Sequence, residues 1–408
     1  MTTVTTPEQR RGVLQHPDFR LLVTGGAVSA VGNGITPVAL AFAVLDLGGG
    51  AAQLGLVEAA FAGAEVATTL FGGVLGDRVS RKLMMEGASV GSALVQAVLA
   101  LTIIAGHASI AGLTVLGMVT GVLSALSGPS SRAMTRLTVP SEALGGAIAT
   151  RALAQQLGMT VGFAVGGVIV AAVGSGWAIM IDALTFAVAA GCFARLRVTH
   201  TTTDSPRGTM LDDLGEGARE VLRHTWLWLL IGQALLYHLF FGGAQSVLGP
   251  IVVGEGMGRG AWGGAMAFLT AGFVVGGLIC LRWRTRHLLF SGTGLLALTA
   301  LFPLSMAFAH APVVVWIGGF VHGVGLSIFS VAWDLAIQQN VPDDKLARVY
   351  SFDIVGSFVA RPLGMALTGP IAEAVGFDRW LVVVGAVIGG SSLLALLSGD
   401  VRRLERAT

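Results

Sequence analysis

Twelve apolar stretches, each long enough to cross a bilayer, govern what this chain can fold into. They lie near residues 21–45, 53–76, 83–106, 110–131, 146–173, 176–195, 226–250, 261–281, 287–309, 312–333, 351–373 and 380–398. Roughly 20 residues at ~1.5 Å rise cross the ~30 Å of hydrocarbon. Backbone amides in lipid find no water, so each run must satisfy its own hydrogen bonds as a helix. With 54% hydrophobic and 12% charged residues among 408, the chain cannot coat a soluble domain of this size. The 59 glycines suit helices that pack backbone to backbone in lipid. The expected fold is an all-α membrane protein of twelve transmembrane helices.

Basic residues set the orientation. Arg10, Arg11 and Arg20 precede the first run; Arg78, Arg81 and Lys82 follow the second, and Arg132 and Arg136 the fourth. The same bias recurs after the sixth, eighth, tenth and last runs, whereas the opposite connections hold only Arg259 and Arg379. Lys and Arg accumulate on the cytoplasmic side, so both termini and every even-to-odd loop are expected there, in a plasma-membrane protein. The first 20 residues lack an apolar core with a small-residue cleavage site, so the first helix is expected to serve as an uncleaved insertion signal.

The longest connection divides the runs six and six. Within it, Leu211, Leu214, Ala218 and Leu222 recur at helical spacing with charges between them, which predicts a short amphipathic helix on the cytoplasmic surface. The halves also match each other. A slide of 202 residues brings Val139, Pro140, Leu144, Gly162, Gly167 and Gly174 onto Val341, Pro342, Leu346, Gly364, Gly369 and Gly376. A shift near half the chain length indicates duplication and two pseudo-symmetric six-helix bundles. The expected organisation is residues 1–195, a linker at 196–225, and residues 226–408.

The segment GGVLGDRVSRK follows the second run. It resembles the cytoplasmic signature of the major facilitator superfamily, G-x-L-x-D-R-x-x-R-R/K, at Gly73, Leu75, Asp77, Arg78, Arg81 and Lys82. A carboxylate at one helix end can meet the positive N-terminus of another helix while nearby cations keep it ionised. By resemblance, Asp77 would latch against the start of the eleventh helix, with Arg132 as a second partner. GMTVGFAVGG in the fifth run is similar to the antiporter signature of exporters in this superfamily, at Gly158, Gly162, Gly166 and Gly167, with Phe163 where proline is expected. HPDFRLLVTGGAVSAVGNG, GPSSRAMTRLTVP and VPDDKLARVYS further resemble the branch of macrolide-efflux proteins and the enterobactin exporter. Many members of that branch carry an acid beside Gly32, where this chain has Asn33. The resemblance implies the major facilitator fold and proton-coupled export of a hydrophobic small molecule, such as an antibiotic, drug or secondary metabolite.

Charges at bilayer depth cost several kcal/mol each, so they are functional candidates. Glu58 and Glu65, seven residues apart, share one helix face. A Glu65–Arg361 pair between the second and eleventh helices is expected to couple proton movement to rocking, with Asp182 as a further candidate. Asn33, Glu58, Glu65, Gln155, Tyr237, His238 and Gln245 are expected around the substrate cavity. His322 is a further group able to titrate near neutrality.

Net charge is +2, which calls for no nucleic-acid partner. Cys192 and Cys280 are the only cysteines, and no metal-spaced ligand set or phosphate-binding loop is found. No cofactor, metal or enzymatic chemistry is expected; the partners are a small-molecule substrate, protons and lipid, and the chain is expected to act as a monomer. Import of a polar nutrient by a symporter or uniporter is the rival transport reading, and a membrane sensor or scaffold the rival outside transport.

Overall fold

The computed structural model describes residues 12–71, 80–197, 210–283 and 285–404. The helices in chain order are α1 (Pro17–Asp46), α2 (Ala51–Phe71), α3 (Arg81–Ile104), α4 (Ile110–Thr138), α5 (Leu144–Val173) and α6 (Ser175–Ala194). The linker helix α7 (Met210–Arg223) precedes α8 (Thr225–Gly243), which continues to Glu255 as a π-helical segment around Pro250. Then come α9 (Arg259–Arg282), α10 (Leu288–Phe308), α11 (Pro312–Asn340), α12 (Asp343–Phe358), α13 (Ala360–Val375) and α14 (Phe377–Ala395). Eleven helices among the described residues are long and apolar enough to cross a membrane. The run expected as the second span is the helix α2, which carries Glu58 and Glu65 and is described as far as Phe71. Two helices, α12 and α13, form the eleventh expected span, meeting at Val359.

The halves repeat one packing plan. In the first half α1 packs on α5 and α6, α2 on α4, and α3 on α4 and α6. In the second half α8 packs on α13 and α14, α9 on α11, and α10 on α11 and α14. Between halves, α5 meets α9 and α2 meets α13, two contacts exchanged by the same two-fold relation.

Glycines show why the repeat in sequence is a repeat in structure. A Cβ on Gly162 would collide with the Val31 carbonyl of α1, and one on Gly364 with the Leu239 carbonyl of α8. The next matched pair works between halves: Gly167 lies against Gly263 of α9, and Gly369 against Ala51 and Ala52 of α2. Gly174 and Gly376 then end their helices at φ of +90° and +100°, a left-handed conformation that favours glycine. The stripe Gly158, Gly162 and Gly166 therefore holds α5 against α1, while Gly167 joins the halves.

One end of the bundle, where α1 runs into α2, is drawn shut across the halves. Arg259 at the start of α9 forms a bidentate pair with Asp46 at the end of α1, with N–O distances of 2.5 and 3.1 Å. Its guanidinium also lies 4.8 Å from the Phe42 ring centroid. Glu373 of α13 accepts the backbone N–H of Ala52 at 3.1 Å. At the opposite end the linker helix docks on the second half: Gly217 abuts the Arg348 carbonyl, and Glu220 takes a 2.8 Å hydrogen bond from Lys345. That lysine bond, with Arg223 and His224 nearby, holds the Glu220 carboxyl below its ordinary 4.5.

Candidate functional site

A polar cavity of about 280 Å³ lies inside the first half. It runs from Asn33, Thr36 and Gln96 to Ser131, Arg132 and Arg151, and includes Gln155. Six serines and two threonines line it, beside the rings of Phe61, Phe186 and Phe193. Small hydroxyl residues satisfy their own donors on helix carbonyls, as Ser89 does on Met85 and Thr120 on Leu116, and still offer an acceptor lone pair. Pro37 lacks an N–H, so the Asn33 carbonyl loses its helical donor beside the cavity that both residues line. A smaller space of about 50 Å³ shares Thr36, Pro37, Phe61, Gln96 and Thr120 and reaches Glu58.

Asp182 sits beneath the cavity wall, fully buried. Thr36 donates to one carboxylate oxygen at 2.5 Å and Gln96 to the same oxygen at 3.0 Å. Thr185 donates to the other at 3.1 Å. All three donors are neutral. Asp182 also lies against Gly32, where any side chain would collide with its carboxylate. The network thus ties α1, α3 and α6 together around one acid.

The expected Glu65–Arg361 pair is not formed. Glu65 instead accepts a 3.1 Å hydrogen bond from Ser124 of α4, a residue that lines the cavity. The direction of the Arg361 side chain explains the difference. Ala51 meets Gly369, Gly55 meets the Met365 carbonyl and Gly63 faces Pro362, yet the Arg361 side chain turns toward α8, where its Cγ lies against Gly242. Glu58 is buried, and the Arg361 charge reaches it as well as Tyr237 and His238, without a direct ion pair.

Of the other expected cavity residues, Asn33 and Gln155 line the cavity and Glu58 its smaller neighbour. The second-half candidates do not. Tyr237 donates at 2.7 Å to His322 Nε2, and His322 Nδ1 donates at 2.8 Å to the Thr299 carbonyl. Pro303 lies four residues after Thr299 and has no N–H to fill that carbonyl, so His322 takes it from another helix. This arrangement gives His322 its neutral tautomer, stacked on Phe241 with centroids 4.3 Å apart. His238 bonds to the Ala234 carbonyl and packs on Phe358, and Gln245 reaches the sulfur of Met266.

In the signature loop, Gly73, Leu75, Asp77 and Arg78 lie outside the described residues. Arg81 and Lys82 open α3. Lys82 donates to the carbonyls of Ala194 and Leu196 at 2.9 and 2.8 Å, filling acceptors at the end of α6. Arg132, expected as a latch partner of Asp77, lines the cavity. Sequence reasoning missed Gln96, Thr36 and Arg151. Arg151 carried a usable signal, being the one cation inside the fifth apolar run.

The chain resembles known transporters over nearly its full length. It is 25% identical to "Multidrug efflux pump Tap" of Mycolicibacterium fortuitum, covering 95% of this chain and 97% of that relative. It is 22% identical to "Macrolide efflux protein A" of Streptococcus pyogenes, again over 95% and 97%. Among solved structures, the nucleoside transporter NupG superposes with a TM-score of 0.72 at 12% identity, covering 93% of this chain and 97% of that one. A bacterial homolog to the human lysosomal transporter Spinster gives 0.71 at 15% identity over 99% and 100%. Those two likenesses establish the shared fold. The sequence model of the Major Facilitator Superfamily matches residues 22–365, and the chain belongs to that family: it is a multi-pass membrane transporter of small molecules, not an enzyme.

Proposed function

We propose that this transporter exports an antibiotic, drug or secondary metabolite from the cytoplasm, driven by protons. The end-to-end match to two efflux proteins carries the reading of direction. The cavity supplies its physical basis. A chamber walled by hydroxyls and three phenyl rings suits a moderately hydrophobic molecule bearing several polar groups. The α1–α2 end, shut by Asp46, Arg259 and Glu373, is the outer gate in this reading, and the linker end faces the cytoplasm together with both termini. Rocking about the α5–α9 and α2–α13 contacts would open the outer gate and close the linker end. Asp77, with Arg78, Arg81 and Lys82, would latch the closed cytoplasmic end.

Asp182 is the leading proton carrier. Its hydroxyl and amide donors also face the chamber, so a proton gained or lost there changes what Thr36 and Gln96 offer to cargo. Glu58, under the Arg361 charge at the contact between halves, is a second carrier whose surroundings change as the halves move. The test is accumulation of labelled antibiotics in whole cells, with and without a protonophore. Expected is lowered accumulation that the protonophore abolishes, and that Asp182→Asn and Glu58→Gln each weaken. Protonophore-sensitive uptake would reverse the direction and favour a nutrient importer, and wild-type efflux in both variants would remove these carboxylates from coupling.

A further inference from the structure

The linker-end mouth of the cavity holds two cations: Arg132, expected as a latch partner of Asp77, and Arg151, which the transport cycle described above does not use. Arg151, on the second turn of α5, is buried, although it lies within an apolar run. Its Nη1 donates to Thr135 at 3.1 Å and its Nη2 to Ser131 at 2.9 Å. Its Nε is buried and has no hydrogen-bond partner. Arg132 of α4 lines the same cavity, near enough for its charge to act on Arg151. No carboxylate among the described residues pairs with either. Glu65 is engaged by Ser124, and Asp182 by Thr36, Gln96 and Thr185.

The charge of the exposed Arg132 repels the buried Arg151 guanidinium, and the hydroxyl partners of Arg151 orient it without neutralising it. Ser131 and Thr135 instead act as splints. They fix the plane of the Arg151 fork through two of its five N–H bonds, leaving Nε–H with the remaining protons for an acceptor. That geometry fits an oxyanion bound through two parallel hydrogen bonds.

We propose that Arg151 and Arg132 form an anion subsite that receives a carboxylate or phosphate group inside the cavity. The proposal deepens the export reading, on which it rests for what the cavity holds: the cargo class becomes an amphipathic acid, its apolar body against Phe61, Phe186 and Phe193. A lipid headgroup could bring the same phosphate chemistry from the membrane, and the test separates the two sources.

The full-length protein in phosphatidylcholine nanodiscs is dialysed to equilibrium against matched fluorescent probes. Coumarin-3-carboxylate is compared with its neutral ethyl ester, and 4-methylumbelliferyl phosphate with neutral 7-methoxy-4-methylcoumarin. Each anionic probe is expected to bind at least about tenfold tighter than its neutral partner, about 1.4 kcal/mol. Arg132→Gln, at an exposed position where folding is safe, and Arg151→Gln should each erase that preference, while Arg151→Lys keeps part of it. Inorganic phosphate should compete with the anionic probes. If nanodiscs containing phosphatidylglycerol block the anionic probes, the headgroup is the natural anion; if they do not, the cargo is, and both results uphold the subsite. Equal binding of acid and neutral forms, or a preference that survives both glutamine variants, overturns it. Dialysis involves no transport, so a failed efflux assay leaves this result standing, and failure here leaves export untouched.

Discussion

The two halves share a scaffold and differ in what fills it. Glycines related by the 202-residue shift do the same work twice, at α1–α5 and α8–α13 within halves and at α5–α9 and α2–α13 between them. The interiors diverge. The first half encloses a hydroxyl-lined chamber with a buried carboxylate and two cations. The second packs Tyr237, Phe241, Phe302 and His322 ring against ring around a neutral hydrogen-bond chain. The 202-residue match therefore marks backbone contacts that both halves keep, while the side chains between them differ. Among the described residues, the hydroxyl-lined cavity belongs to the first half and the ring packing around His322 to the second.

The shared scaffold can be broken from either side. Gly162→Leu and Gly364→Leu each drive a side chain into a backbone carbonyl of the facing helix, where no rotamer change relieves the clash. Overpacking costs about 1–3 kcal/mol when neighbours can yield, and backbone yields less than side chains. Both variants are expected to lose most folded protein in fluorescence-detected size exclusion, and to a similar degree. A large difference between them would mean that one half tolerates separation of its helices and the other does not.

The divergent interiors should respond oppositely. Asp182→Asn keeps the shape but replaces one acceptor oxygen by a donor amide among Thr36, Gln96 and Thr185; protonophore-sensitive efflux should fall at least about tenfold, about 1.4 kcal/mol in rate terms. Tyr237→Phe instead leaves His322 Nε2 buried without its donor, at a cost of about 1–3 kcal/mol. That loss should appear as a lower thermal midpoint with transport retained. Efflux that tolerates Asp182→Asn but not Tyr237→Phe would place coupling in the second half.

Much of this is legible in the amino-acid sequence. Apolar run length dictates helices wherever lipid is the solvent, and the 202-residue self-match marks the glycines that later prove to be contact points. What could not be read was the direction in which a side chain leaves its helix. Counting along α2 puts Glu65 at mid-depth opposite Arg361, but the Arg361 side chain turns toward α8, against Gly242, and its charge reaches Glu58. The cavity's confinement to one half was equally hidden, because Tyr237 and His238 are as polar in sequence as Asn33 and Gln155. Only the ring packing around His322 and the freed Thr299 carbonyl show that Tyr237 is committed elsewhere.

The shut end compares a charged clasp with a glycine seam. Arg259→Ala and Asp46→Ala, alone and together, form a double-mutant cycle with an expected coupling of about 0.2–1 kcal/mol, since both side chains are partly exposed. Spin labels on the α1–α2 and α8–α9 connections should report a modest shift toward separation of the halves. No shift would assign closure of that end to Gly167–Gly263 and Gly369–Ala51 alone.

The smallest effect is expected at the linker, the one segment with no counterpart in either half. Glu220 is held below its ordinary 4.5, chiefly by the hydrogen bond from Lys345. A carboxyl whose value is lowered by folding contributes stability above its ordinary value and loses it as pH falls through the lowered one. Docking of α7 on α12 should therefore be undiminished at neutral pH and loosen only below about 4.5. Limited proteolysis across that range should show α7 becoming more cleavable as the medium acidifies, and Glu220→Gln should flatten the dependence. A linker whose cleavage does not change with pH, or changes equally in Glu220→Gln, would mean that the close approach of Gly217 to Arg348 fastens the helix, with the ion pair riding on that contact.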